Sequence, residues 1–139
     1  MKHKRPKPLT YLETVRFHGH DGPYLALGYK LGQLIVDRLK PKGIMELTIT
    51  VGTRLQKPYT CLIDGLQCST FATVGKGNLL VKDRRDGKIS VITAQNRKKL
   101  KVLVNQKAMK ICQTDEGLKK AARLIFETPA RILFTITKS

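Results

Sequence analysis

The chain has 139 residues, 27 Lys plus Arg against 10 Asp plus Glu, and a formal charge of +17. That length predicts one domain, and 41% hydrophobic residues supply one ordinary core, which excludes wholesale disorder. No apolar run approaches the ~18 residues of a membrane-spanning helix, and no apolar stretch follows the charged start, so neither an anchor nor a secretory signal is expected.

Seventeen unbalanced positive charges repel one another, and the partner that relieves them is a polyanion. The three cysteines, Cys61, Cys68 and Cys112, cannot all pair within one chain and form no CxxC. Reduced thiols in a cytoplasmic protein are the expectation. Tryptophan is absent and aromatics make up only 6%, so a platform of aromatic rings for single-stranded bases is poorly supplied.

Residues 1–8 hold Lys2, His3, Lys4, Arg5 and Lys7 with two prolines, and read as a flexible basic arm. Residues 9–139 then read as the single domain. Helical spacing begins near Leu9, with Leu12, Val15 and Phe17 as its apolar face, and stops at His18-Gly19-His20. Pro23 opens a second helix, where its missing N–H costs nothing. That helix runs to Leu39 with Leu27, Leu31, Leu34, Ile35 and Leu39 on one face. From Met45 the period falls to two, and Met45, Leu47, Ile49 and Val51 predict a half-buried strand.

Residues 60–70 predict a third helix, with Leu62, Ile63 and Leu66 inward. Short strands are expected over 79–82, 89–93 and 100–104, the first two joined as a hairpin by Asp86-Gly87. Thr114 is expected to cap a last helix facing the core with Leu118, Ala121, Ala122 and Ile125. Ile132, Phe134 and Ile136 alternate as a closing strand. Helices and strands mix without βαβ regularity, so the fold class is α+β in two layers, an antiparallel or mixed sheet against helices.

Two stretches carry a resemblance. One is Phe17-His18-Gly19-His20-Asp21-Gly22-Pro23-Tyr24-Leu25-Ala26-Leu27-Gly28. The other starts at Cys61-Leu62-Ile63-Asp64-Gly65-Leu66-Gln67 and continues through Thr70-Phe71-Ala72-Thr73-Val74-Gly75-Lys76-Gly77-Asn78-Leu79. Both resemble the E-type family of formylmethanofuran dehydrogenase subunits, with its HGH-x-C-P-G-L-x-L-G and C-x-x-D-x-x-Q…T-G-C-T-x-G-K-G-N motifs. The resemblance spans residues 9–137. It implies an α+β domain similar to the catalytic domain of glyceraldehyde-phosphate dehydrogenases, with His and Cys side chains around a metal pocket and an archaeal or related prokaryotic source.

The chain departs from those motifs at Gly22 and Ala72, where they have cysteine, and at Phe71, where they have glycine. The C-terminal cysteine pairs of some members are absent too. His18, His20 and Cys61 remain, a set that suits Zn²⁺ with a fourth position open. The reading adopted is that they hold no metal or other cofactor, the two imidazoles being scaffold bonded to backbone groups; zinc on these three is the alternative. Cys68, nearly on the face of Cys61, is a further donor candidate read instead as a buried thiol. Asp64 and Gln67, one helical turn apart, are expected to share a hydrogen bond into the pocket. Gly75-Lys76-Gly77 lacks the spacing of a phosphate-binding loop.

The positive charge is clustered. Lys2, Lys4, Arg5 and Lys7 form one group, Lys82, Arg84, Arg85 and Lys88 a second, and Arg97, Lys98, Lys99 and Lys101 a third. Between Lys88 and Lys110 there is no acidic residue, which argues against ion-pair networks and for phosphate contact. These residues are the expected RNA-binding set. The functional expectation is a non-enzymatic RNA-binding protein, ribosome-associated, meeting ribosomal RNA and neighbouring ribosomal proteins; DNA stays open as a ligand. The alternative is a metal-dependent enzyme or accessory subunit of formylmethanofuran- or molybdopterin-linked one-carbon metabolism.

Overall fold

The structure is a computed structural model describing residues 4–138. Lys2 and His3 lie outside the described residues. The helices are α1 (Tyr11–His18), α2 (Pro23–Leu39), α3 (Cys61–Thr70), α4 (Gln106–Cys112), α5 (Leu118–Glu127) and the short α6 (Ala130–Leu133). The strands are β1 (Thr48–Thr53), β2 (Leu79–Asp83), β3 (Ser90–Gln95), β4 (Lys98–Val104) and β5 (Phe134–Lys138). They form one mixed sheet in the order β2-β1-β3-β4-β5, parallel between β1 and β2 and antiparallel elsewhere. The α+β expectation holds.

One core joins α2 through Leu27, Leu31 and Ile35, α3 through Leu62 and Leu66, and the sheet through Ile49, Val51, Val91 and Val102. Alternation in the strands follows from covering one face only. Register places Leu80, Thr50, Ile92, Lys101 and Thr137 in one row across the opposite face. Lys30 ties α2 to the end of α5, its ammonium donating to the carbonyls of Ile125, Phe126 and Thr128.

Several local expectations are corrected. Leu12 and Phe17 are 71% and 61% exposed, because α1 docks through Tyr11, whose ring meets Phe126 and Tyr29 edge-on, and through buried Thr14. The helix starts at a capping box, Thr10 and Glu13 each bonding the other's backbone N–H. Met45 precedes the strand and is exposed, the turn before it being held by Glu46 accepting from the Lys42 and Gly43 amides.

Asp86-Gly87 closes no hairpin, since β1 lies between β2 and β3. The true hairpin is β3–β4, whose two-residue turn Asn96-Arg97 has Asn96 at φ 55°. α5 is preceded by Gly117 rather than capped by Thr114, and Leu118 is 58% exposed. Residues 106–112 form a helix that the sequence pattern does not announce.

Candidate metal centre

The site is built at the corner between α1 and α2 and closed by the first turn of α3. α1 ends at His18 because Gly19 takes the left-handed conformation, φ 107°, and its N–H returns to the Val15 carbonyl. Asp21 shapes the following link by accepting a 2.5 Å hydrogen bond from the Tyr11 hydroxyl. That occupies Asp21 as a turn anchor, with His20 left exposed. The two imidazole rings stand 4.6 Å apart between centroids. Cys61, the first residue of α3, completes the group: one donor atom from each of His18, His20 and Cys61 lies within 4.8 Å of the others.

His18 is not the backbone-bonded scaffold ring expected. Its Nδ1 lies 2.6 Å from Oδ2 of Asp64, on the turn of α3 that follows Cys61. Gln67 Nε2 donates to the other carboxylate oxygen of Asp64 at 3.3 Å, and Gln67 Oε1 accepts from the Val74 amide at 2.9 Å. The expected Asp64–Gln67 bond is therefore present, as the outer part of a relay ending on His18. A carboxylate at Nδ1 orients the ring, and in the neutral tautomer with the proton on that side Nε2 presents a lone pair. That Nε2 is buried and has no hydrogen-bond partner among the described residues. A buried acceptor left without a donor is costly, and a metal ion is the partner that this tautomer suits.

The other cysteines stand apart from the cluster. Cys68 is buried and does not join the donor set. Burial, reinforced by Asp64 and opposed by Lys57, raises the Cys61 thiol above its ordinary range. Beside the cluster, a cavity of about 170 Å³ has His20 and Cys61 in its wall with Pro23, Tyr24, Lys57, Pro58, Cys112 and Leu118. No sequence signal marks Lys57 or Cys112 for this site; they come from the β1–α3 loop and from α4, and only the tertiary fold brings them together.

The family described as FmdE, Molybdenum formylmethanofuran dehydrogenase operon, matches residues 17–135. The chain belongs to the FmdE family. Among curated proteins, this FmdE chain is 26% identical over 118 residues to a "Probable S-adenosyl-L-methionine-binding protein" of Archaeoglobus fulgidus. The match covers 82% of this chain and 31% of that relative, so the FmdE domain spans about a third of the relative's length. Among the described residues no helix is long and apolar enough to cross a membrane.

The basic residues of the FmdE chain divide into two kinds. Lys82, Lys99 and Lys101 are exposed on the uncovered face of the sheet, whose outward strand positions hold no acidic residue. Arg97 and Lys98 are exposed at the β3–β4 turn, and Lys88 and Lys7 are exposed elsewhere. Three arginines are instead engaged within the molecule. Arg84 bonds Asp86 and, at 2.6 Å, the Ser90 hydroxyl; Arg85 bonds Asp83. Arg5 donates to the carbonyls of Ser69 and Thr70 at 2.9 and 2.6 Å and lies over the Phe71 ring.

Lys4 bridges to Gly43, and the Arg5 amide donates to the Lys42 carbonyl. The described end of the basic arm is therefore fastened to its own domain, a correction to the flexible arm. α3 ends with carbonyls that need donors, and Arg5 supplies two.

Proposed function

We propose that this is a metal-dependent FmdE domain in which His18, His20 and Cys61 hold a zinc ion. The observation that carries the reading is the buried Nε2 of His18, without a hydrogen-bond partner among the described residues, while the Asp64 carboxylate engages the opposite nitrogen. Two imidazoles and a thiolate suit zinc by donor softness, and three protein ligands are the number found in working rather than purely structural sites. Zinc bound there would supply Lewis acidity. The protein's own contributions are separate from the ion. Asp64 orients His18, Gln67 orients Asp64, and the apolar wall of Pro23, Tyr24 and Pro58 limits water at one side.

Metal analysis and a Co²⁺ titration test this. One ion per chain is expected, lost in His18→Ala and in Cys61→Ser with the fold retained by circular dichroism. Absence of binding at micromolar metal would overturn it.

The charge supports a second reading: structured RNA, including ribosomal RNA, as a partner of the uncovered sheet face. Lys82, Lys99 and Lys101 project there, where the outward strand positions hold no acid, and exposed Arg97 and Lys98 add charge at the adjoining turn. Phosphate contact by side chains on a rigid sheet needs no aromatic platform. Co-sedimentation with ribosomes at moderate salt is expected to capture the protein; recovery on duplex DNA alone would overturn RNA as the ligand.

A further inference from the structure

We infer that the cavity beside the cluster takes a small carboxylate ligand, its acid group between the metal and Lys57 and its apolar body on Tyr24, Pro58 and Leu118. This rests on the metal reading above. Four observations carry it.

First, the cavity and the cluster share His20 and Cys61, so a bound molecule meets the donor set directly. Second, the charges in the wall are one-sided. Lys57 is a lining residue, no Asp or Glu is, and its ammonium is near enough to act on the Cys61 thiol. A divalent ion with one thiolate leaves a net positive charge, so ion and lysine together select an anion. Asp64, the acid that also acts on Cys61, already accepts from His18 and Gln67.

Third, position 22 carries no side chain. Gly22 is extended, φ −156°, and a Cβ there would stand 3.3 Å from the His20 ring. Any side chain would press on the His20 ring, and Gly22 itself lines the cavity, so glycine keeps that wall clear beside the donor set. Fourth, the size suits a small molecule: about 170 Å³, at ~30 Å³ per water-sized group, accommodates on the order of six non-hydrogen atoms, those of a four-carbon acid. The start of α2 in this wall also has no side-chain cap, which suits an anion.

The test uses Co²⁺-loaded full chain titrated with acetate, butanoate, hexanoate and butanamide, read by the visible cobalt spectrum and by calorimetry. Butanoate is expected to shift the spectrum saturably and to bind more tightly than acetate, and the uncharged amide not to bind. Lys57→Gln should keep one metal per chain and weaken butanoate about tenfold. Gly22→Cys should retain cobalt, alter its spectrum toward two thiolates and lose butanoate binding. Loaded protein whose spectrum ignores all the acids would overturn the inference while sparing the metal site. Equal affinity for acetate and butanoate, unchanged in Lys57→Gln, would reduce it to plain coordination and overturn it too. Failure to load cobalt would overturn the metal reading and this inference with it.

Discussion

A methyl group on Gly28 would stand 2.0 Å from the carbonyl oxygen of Leu62, so α2 and α3 touch backbone to backbone. Gly65 makes the same approach from α3, where a Cβ would fall 2.3 Å from the Leu25 carbonyl. Cys61 and Asp64 ride on the part of α3 held closest to the α1–α2 corner. The interhelical contact sets the reach between thiol and imidazoles.

Gly28→Ala should therefore damage stability and site together. Neither backbone can yield by a side-chain rotation, so overpacking costs about 1–3 kcal/mol or more. Urea unfolding should show the loss, and a cobalt titration of the folded fraction should show weakened binding. Unchanged values in both would mean the helices slide apart without consequence.

The relay on His18 predicts a graded effect. Asp64→Asn keeps the shape but removes the charge on Nδ1, and changes of this kind lower metal affinity about 10–100-fold. Gln67→Ala should do less, because it leaves the carboxylate in place. Competition with a metal indicator measures both; equal losses would show that the relay does not act in sequence.

Metal affinity should rise with pH through and beyond the ordinary thiol range. Burial first, and Asp64 second, raise the Cys61 thiol while Lys57 opposes them. A proton must then leave for each ion bound, giving about one decade of affinity per pH unit until the thiol ionises unaided. A flat profile across neutral pH would count against Cys61 as a ligand.

Alkaline stability has its own marker in Cys112, whose thiol burial pushes up from 9.0 to about 12. The folded state holds that proton more tightly than the unfolded chain does. Its contribution is complete below pH 9.0 and is lost as pH climbs toward about 12. Urea midpoints should fall across that window, and Cys112→Ala should flatten the fall relative to its own value near neutrality. Tyr24, raised chiefly by burial, acts in the same direction.

For the sheet face, replacing Arg97, Lys98 and Lys99 by alanine should weaken RNA binding regardless of sequence. The salt dependence should flatten by about one unit of slope per lost phosphate contact. Arg84→Ala should instead loosen the loop it braces to Asp86 and Ser90, with little change in slope. An unaltered slope in the triple variant would remove this face as the RNA surface.

Long-period features are legible in the residues. Leu27, Leu31 and Ile35 announce α2, Leu62 and Leu66 announce α3, and Lys99 and Lys101 alternate with buried Leu100 and Val102 along β4. His18, His20 and Cys61 are identifiable as donors. What sequence does not supply is the partner of His18, since Asp64 lies 46 positions away and its carboxylate reaches back only once α3 has docked. Arg5 looks like one more solvated charge for a similar reason: its acceptors, backbone carbonyls at 69 and 70, have no signature in composition. Leu12 and Phe17 mislead because short helices choose their inner face by what neighbours offer, here aromatic contact with Tyr11.

The Arg5 clasp also orders events during synthesis. The guanidinium is made early, but the carbonyls it grips belong to residues 64 and 65 positions later, at the end of a helix. α1 and α2 precede both acceptors in the chain, so Arg5 stays unlatched until α3 has been made. Closing over Phe71 then comes after α3 has formed and does not need the elements that follow it in the chain.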